Sequence, residues 1–161
     1  MTLDKYTIKA QEAVQAGVQA AQAAQQQSVE PIHLLKGILE KAQDITHFIF
    51  QKLGVNAQAI DMALQNELQH LPKVSGGQPY LSNDSVQVLN KAEELSQKMG
   101  DEFVSVEPIL LALMQGNHTA GRILKDAGCT EEGVRKAIES LRQGQQVKSQ
   151  SGDENYQSLS K

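Results

Sequence analysis

Small and apolar residues recur every three or four positions near the start of the chain, and glutamines occupy the opposite side. Between Thr7 and Gln26 the recurring residues are Ala10, Ala13, Val14, Gly17, Val18, Ala21 and Ala24. This period is typical of an amphipathic helix. Because the inward face is nearly all alanine and glycine, we expect a neighbouring helix to approach it closely.

The same period predicts seven further helices, separated by glycines and by residues that cap helix starts. They cover about 29–40, 44–53, 56–68, 83–99, 105–114, 119–127 and 130–141. Thr7, Ser28 and Asn56 have side chains suited to cap a helix start. Gly54 is suited to the left-handed conformation that ends a helix. The sequence therefore predicts an all-α protein.

The hydrophobic face of the first half recurs in the second half. At an offset of about 75 residues, Ala13 and Gly17 correspond to Val88 and Ala92. The letters Val-Glu-Pro-Ile also occur twice, at 29–32 and at 106–109, but they require a different offset. The repeated apolar face is the better evidence for a duplication. Helix packing requires such a face, whereas a match of four residues can arise by chance.

A segment with two prolines and two glycines, 71–79, separates the halves, since neither flanking helix can continue through it. We predict two tandem, pseudo-symmetric four-helix repeats packed as one globular domain. The domain covers 1–144, with repeat 1 at about 1–71 and repeat 2 at about 80–144. Residues 145–161 are rich in glutamine, serine and glycine, which predicts a flexible carboxy-terminal tail or linker.

Composition and charge argue against several classes of function. The net charge is -4 and no long basic cluster is present, so the electrostatic footprint of a nucleic-acid-binding protein is missing. No apolar run approaches the ~20 residues that span a bilayer. Cys129 is the single cysteine, which excludes an internal disulfide framework and fits a reducing compartment. We expect a cytoplasmic protein that binds neither nucleic acid nor membranes.

The sequence offers no group of residues that predicts catalysis or a bound cofactor. The four histidines lack the spacing that places two metal ligands on one helix face, and His33 is interpreted as a half-buried packing residue. Cys129 corresponds to Val55 of the other repeat and is interpreted as a small buried residue. A phosphate-binding G-x-x-x-x-G-K-[ST] segment is absent, so we expect no ATP hydrolysis by this chain.

Three stretches, in this order and at this spacing, resemble one protein family. They read Leu-Pro-Lys-Val-Ser-Gly at 71–76, Gly-Asp-Glu-Phe-Val-Ser-Val-Glu at 100–107 and Asp-Glu-Asn-Tyr-Gln-Ser-Leu at 153–159. With the double repeat, they resemble the amino-terminal Clp repeat domain of the ClpB disaggregases, in the Clp/AAA+ chaperone family. In that family two ATPase modules follow the domain. The resemblance implies that this chain is a piece of a longer protein, whose ATP and Mg²⁺ sites lie in the modules absent here.

The resemblance also implies a function and partners. The domain would be a non-catalytic module that engages exposed apolar segments of unfolded or aggregated polypeptides through a groove between the repeats. The alternative is a docking domain for an adaptor protein. The parent protein would be a homohexamer in the bacterial cytoplasm that works with adaptor or Hsp70-system proteins. We expect the isolated domain to be a monomer, since no sustained heptad pattern is present.

Nine residues are expected to bind substrate, some by resemblance and some as neighbours on the same edge. They are Thr7, Leu89, Lys91, Leu95, Asp101, Val106, Glu107, Pro108 and Leu110. Several have a structural alternative: core packing for Leu89 and Leu95, a helix cap for Thr7, and a favourable helix-start charge for Glu107. Lys91 departs from the apolar character that the groove requires, although its stem can still cover apolar surface.

Overall fold

The computed structural model describes residues 2–154 and Tyr156. This part of the chain forms eight α-helices and two very short strands. The helices are α1 (Ile8–Ala23), α2 (Pro31–Lys41), α3 (Gln43–Leu53), α4 (Ala57–Gln69), α5 (Asn83–Lys98), α6 (Val106–Gln115), α7 (Thr119–Asp126) and α8 (Glu131–Arg142). The strands are β1 (Ser28–Val29) and β2 (Tyr80–Leu81). The predicted all-α fold of two four-helix repeats is confirmed. In the described part of the chain, no helix combines the length and apolar character needed to cross a bilayer.

The helix boundaries follow the predicted capping residues at most positions. Thr7 and Asn56 cap α1 and α4 as predicted, because each side chain accepts a hydrogen bond from a first-turn amide. Gly54 ends α3 in the left-handed conformation, with φ +67. The prediction for Ser28 is wrong, since Ser28 belongs to β1 and Glu30 is the N-cap of α2.

The N-caps fix the register between the two repeats. The corresponding caps are Thr7 with Ser82, and Glu30 with Ser105. The residues of each pair are separated by the same offset of about 75 residues that the repeated helix faces predicted. In this register Ile32 of α2 corresponds to Glu107 of α6, so the two Val-Glu-Pro-Ile stretches occupy non-equivalent places.

Two short parallel pairings join the repeats across the seam between them. Strand β1 pairs with β2, and Tyr6 forms an isolated parallel bridge with Val104. In each case the residues before the first helix of one repeat pair with those before the second helix of the other. The two pairings are therefore equivalent under the internal pseudo-symmetry. The sequence did not predict them, because two-residue strands carry no alternation to detect.

Helices α1 and α2 pack with their backbones in close approach. A β-carbon built on Gly37 would lie 1.9 Å from the Ala13 carbonyl oxygen, and one on Gly17 would lie 2.6 Å from a carbonyl oxygen of α2. Glycine is thus needed at both positions, as the small inward face of α1 led us to expect. The corresponding residues of α5 and α6 are Ala92 and Ala112, both buried.

The segment after α8 packs back onto the helical domain. We term residues 145–154 together with Tyr156 the strap. The Glu102 amide donates to the Val147 carbonyl at 2.7 Å, and the Ile8 amide donates to the Gln150 carbonyl at 2.8 Å. The structure therefore corrects the prediction of a flexible tail from residue 145 for this part, since buried Val147 and these hydrogen bonds offset the entropy of ordering. Asn155 and residues 157–161 of the predicted tail lie outside the described residues.

Candidate functional site

An apolar groove opens to solvent at the seam between the repeats. It lies between α1 and the start of α5, beside β2, and encloses about 560 Å³. We term it the seam groove. Its lining residues are Leu3, Val14, Gln15, Val18, Gln19, Pro79, Tyr80, Leu81 and Val86.

The local sequence explains how this groove forms. Val14 and Val18 are four residues apart and therefore lie on one face of α1. Leu81 lies just after the proline-containing connection between the repeats and is held in place because it pairs with Val29. Tyr80, its neighbour on the strand, is 56% exposed. The groove thus combines fixed apolar walls with one aromatic ring that a ligand can reach.

The seam groove is uncharged, which distinguishes it from a second cleft beside α2 and α4. That cleft encloses about 520 Å³ and is lined by Lys36, Lys73, His33 and several glutamines in addition to apolar residues. None of the seam-groove residues carries a formal charge. A surface of this kind gains binding free energy mainly by removing apolar area from water.

The predicted apolar site residues lie in the interior and not in the seam groove. Leu89, Leu95, Val106 and Leu110 are each at most 3% exposed, and Pro108 is also buried. They belong to the core that α5 and α6 share, because their positions repeat on the inward faces of those helices. The structure therefore corrects their expected placement on an open groove. A binding role for them stays a prediction that requires α5 and α6 to separate first.

Lys91, the predicted site residue that departs from apolar character, lies at the surface. Its side chain is 40% exposed and its ammonium lies 3.6 Å from the Glu94 carboxylate on the next turn. It is not among the residues that line the seam groove. This exposed ion pair is of the kind that contributes little to stability.

Thr7, Asp101 and Glu107, also predicted as site residues, come together in one buried polar cluster. Its members are Thr7, Asp101, Ser105, Glu107, Arg142, Asp153 and Tyr156. Arg142, at the end of α8, donates from Nε to Glu107 Oε1 at 2.9 Å. Its two terminal nitrogens donate to Asp101 Oδ1 and Ser105 Oγ, each at 2.9 Å. One guanidinium therefore joins two of the three predicted residues.

The strap supplies the remaining members of the polar cluster. The Thr7 hydroxyl donates to Asp153 Oδ2 at 2.7 Å, and Asp153 is fully buried. The Tyr156 hydroxyl donates to Glu107, and the Tyr156 ring lies 5.7 Å from the Arg142 guanidinium. The start of α1, the start of α6, the end of α8 and the strap thus meet at this cluster.

Burial changes the acidity of the cluster. Desolvation raises the pKa of Asp153 to about 6, although the Thr7 hydroxyl and the charge of Lys9 favour the carboxylate. Desolvation also raises the pKa of Tyr156, so its hydroxyl stays protonated. Burial alone would lower the pKa of Arg142, but the carboxylate of Glu107 and other neighbouring groups raise it overall. The cluster therefore contains one permanent cation and three carboxyl groups.

His33 and Cys129 are interior residues with structural contacts. His33 is fully buried, which corrects the half-buried environment expected for it. Its Nδ1 accepts from the Glu30 amide at 2.9 Å, and its Nε2 lies 2.8 Å from Gln26 Oε1. Desolvation raises the pKa of the Cys129 thiol to about 11, and the buried position agrees with the predicted packing role.

No metal centre is indicated within the described part of the chain. There, no three His, Cys, Asp or Glu side chains lie close enough together to hold one ion. The three carboxyl groups of the polar cluster instead face hydrogen-bond donors: Asp101 and Glu107 accept from Arg142, and Asp153 accepts from Thr7. The cluster can therefore hold segments of the chain together.

Two groups of residues at these sites were not predicted, although the sequence pattern around each is informative. Val134, Ile138 and Arg142 are spaced by four, so the period of α8 already placed the arginine on the buried face. Tyr80 and Leu81 are an apolar pair that directly follows the proline-containing connection, which favours an extended segment packed on the domain. The groove that these two residues form with α1 depends on contacts between the repeats, which no local sequence pattern predicts.

Comparison with known proteins identifies the family. Residues 5–127 match the model of the Clp repeat (R) N-terminal domain. The whole chain is 52% identical over 161 residues to the chaperone protein ClpB of Bacteroides thetaiotaomicron and 44% identical to that of Porphyromonas gingivalis. In both cases the chain spans 19% of the length of the relative.

A solved structure has the same fold. The crystal structure of the Hsp104 N-terminal domain from Candida albicans superposes with a TM-score of 0.80 at 21% sequence identity. The match covers 93% of this chain and 99% of that chain. The chain therefore belongs to the family of Clp repeat N-terminal domains, with the sequence relatives identifying it as a chaperone amino-terminal domain of the ClpB type.

Proposed function

We propose that this domain binds exposed apolar segments of unfolded or aggregated polypeptides in the seam groove. The observation that carries the proposal is an open groove of about 560 Å³ whose lining is apolar or amide-bearing and uncharged. Membership of a chaperone family supports it, since misfolded proteins differ from folded ones chiefly in the apolar surface that they expose.

The groove residues named here replace the predicted ones in this proposal. Val14, Val18 and Tyr80 offer apolar area to a client without any rearrangement of the core, whereas Leu89 and Leu95 do not. The inter-repeat location of the predicted groove is kept. What changes is the surface: α1 and the segment before α5 form it.

Binding in the seam groove is expected to be weak and tolerant of client sequence. Apolar contacts contribute ~25 cal/mol per Å² of buried apolar area, and the cost of association is subtracted from that gain. Gln15 and Gln19 are the amide-bearing side chains of the lining, so few fixed polar contacts orient a client. Several tethered copies of such a domain would hold a client with multiple exposed segments more tightly than one copy.

The role of the whole protein is part of the same proposal. We infer that the domain holds clients for ATP-driven threading by modules outside this chain, within a homohexamer of the bacterial cytoplasm. ATP and Mg²⁺ would bind in those modules. The domain would contribute client contact and local concentration, and adaptor or Hsp70-system proteins would act through the parent protein.

Fluorescence anisotropy with a labelled, permanently unfolded polypeptide tests the groove. We compare the unmodified chain with Tyr80→Ser and, as a matched control, with Met62→Ser. Both side chains are large and exposed, at 56% and 68%, but Met62 on α4 does not line the groove. Loss of the Tyr80 ring is expected to weaken affinity about fivefold, equivalent to ~1 kcal/mol.

Two results would overturn the proposal. Equal affinity of all three proteins would place client binding on another surface. Absence of binding to the unfolded polypeptide, together with saturable binding of one folded partner, would favour the adaptor-docking alternative.

A further inference from the structure

The amino-terminal segment, from Leu3 to Ile8, contacts the seam groove at one end and the strap at the other. Leu3 lines the groove. The Gln150 side chain donates to the Asp4 carbonyl at 3.2 Å, and the Ile8 amide donates to the Gln150 carbonyl at 2.8 Å. The strap therefore contacts this segment at Asp4, next to the Leu3 wall of the groove, and at the first residue of α1.

The middle of this turn is anchored independently of the strap, because the Tyr6 ring is buried and its hydroxyl donates to Glu93 at 3.0 Å. The Tyr6 amide donates to the Leu3 carbonyl at 3.0 Å, which closes the turn, and the bridge between Tyr6 and Val104 attaches it to the second repeat. Leu3 itself is only partly buried. Its position relative to the groove thus depends on the contact at its own end of the turn, where the Gln150 side chain donates to the Asp4 carbonyl.

Docking of the strap combines a few buried side chains with hydrogen bonds from its backbone to the domain. Val147 and Tyr156 are its buried apolar anchors, and most of its other residues are glutamine, serine, glycine or lysine. Asp153 is a buried polar anchor: its Oδ2 accepts from Thr7, and its Oδ1 has no hydrogen-bond partner among the described residues. A segment with so few anchors is expected to open locally far more readily than the helices.

We propose that the strap is a brace for the seam groove: its docking on the polar cluster fixes the amino-terminal segment and thereby the Leu3 wall that a client contacts. Docked strap and bound client then stabilise each other. The coupling is reciprocal, because a client that prefers the braced groove must favour the docked strap by the same factor. The part of this inference that concerns client binding rests on the function proposed above.

In this arrangement Thr7 and Asp153 are positioning residues that act through the amino-terminal segment. Neither residue lines the seam groove. Their effect on a client is expected to be indirect, through the placement of Leu3. This separates them from Tyr80, which contacts the client directly in our proposal.

The test compares Asp153→Lys with Glu154→Lys in the full chain. The two substitutions make the same change of charge at adjacent positions, but Asp153 is fully buried whereas Glu154 is exposed. Hydrogen exchange without client reports strap docking at the Ile8 amide and the turn at the Tyr6 amide. Anisotropy with the labelled unfolded polypeptide then gives client affinity.

We expect Asp153→Lys to speed exchange at both amides and to weaken client affinity about fivefold, within the range of allosteric couplings. Glu154→Lys is expected to change neither. Asp153→Asn keeps an acceptor for the Thr7 hydroxyl and is expected to restore docking and affinity. If Asp153→Lys loses helicity by circular dichroism, Tyr156→Ser removes a different anchor without adding charge and replaces it in the comparison.

The outcomes distinguish this inference from the proposed function. Undocking of the strap with an unchanged Tyr6 amide and unchanged affinity would overturn the brace while leaving client binding in place. Faster exchange at both amides in a chain that binds no client would overturn the proposed function, and with it the client half of the coupling. Client binding that protects the Ile8 amide of the unmodified chain supports both.

Discussion

The first turns of α2 and α6 occupy equivalent places in the two repeats but bury opposite kinds of side chain. The second helical residue is Ile32 in α2 and Glu107 in α6, and both are almost completely buried. Glu107 is stable there because Arg142 and Tyr156 donate hydrogen bonds to it. A duplicated fold can therefore hold a charge at a core position when another part of the chain supplies the partner.

The two Val-Glu-Pro-Ile stretches show the same contrast. Glu30 is the N-cap of α2 and remains partly exposed, whereas Glu107 lies two residues further into its helix and is buried. Identical letters thus occupy a helix cap in one repeat and the polar cluster in the other. Position in the fold, and not the local sequence, decides what each glutamate does.

Replacing each of the two glutamates by alanine tests the difference between their environments most directly. Glu107→Ala is expected to lower the free energy of unfolding by about 3–5 kcal/mol, because Arg142 loses a buried partner. Glu30→Ala is expected to cost only about 0.3–1 kcal/mol, the usual contribution of an acid that is partly exposed at a helix start. Urea denaturation measures both. Equal losses would contradict the distinct environments described for these residues.

The helix contacts of the two repeats provide the next test. Gly37→Ala is expected to destabilise the domain by about 1–3 kcal/mol, because the new methyl group would overlap the Ala13 carbonyl. The reverse change at the corresponding place, Ala112→Gly, is expected to cost about 0.5–1 kcal/mol through helix propensity. Thermal unfolding of both variants is the measurement. A harmless Gly37→Ala would show that α1 and α2 have room to separate.

Acidification tests the buried carboxyl group by which the strap docks on the polar cluster. The ordinary pKa of an aspartate is 3.8, and burial raises that of Asp153 to about 6, so the docked strap binds a proton more tightly than the undocked one. Docking is therefore strongest below the ordinary pKa and weakens as the pH rises through 6. Glu107 reinforces this direction, whereas Lys9 and Thr7 oppose it.

From pH 7 to pH 5 we expect the docking equilibrium to increase about tenfold. The protection factor of the Val147 amide, which donates to Asp101, measures the change after correction for intrinsic exchange. The Ser82 amide, which donates to the Val29 carbonyl across the β1–β2 pairing, is the internal control. Asp153→Asn should abolish the pH dependence. A tenfold increase that persists in that variant would assign it to another group.

The smallest expected difference concerns Cys129 and its counterpart Val55. Cys129→Val makes the two repeats alike at this position and is expected to change stability by less than about 1.5 kcal/mol, as conservative changes of volume do. In the unmodified chain the thiol should react slowly with a disulfide reagent at pH 8, since it is buried and its pKa is raised to about 11. Rapid labelling of the folded protein would contradict this environment.

The helices themselves could be predicted because their signals are local. Face periodicity located all eight helices of the described chain, and the caps at Thr7 and Asn56 and the stop at Gly54 set several of their ends. A period of 3.6 residues and a capping side chain act within one turn, so the sequence alone reports them. The prediction of Ser28 as a cap failed because its pairing partner, β2, lies in the other repeat.

The candidate site could be predicted only in part. Resemblance singled out Thr7, Asp101 and Glu107, which the structure brings together, but also Leu89 and Leu95, which it buries in the core. An apolar side chain on a helix carries the same pattern whether it faces a neighbour or an open groove. Exposure is thus a property of the surrounding helices and cannot be read from one of them.

By itself, the sequence determined the helical class, the duplication and its register, because these follow from periodicity and capping within a few residues. The tertiary structure alone decided three things: which apolar residues line the seam groove, that Arg142 joins Asp101 and Glu107, and that the strap returns to the start of α1. Each depends on contacts between residues far apart in the chain. Their free energy depends on burial and on partners that only the folded arrangement supplies.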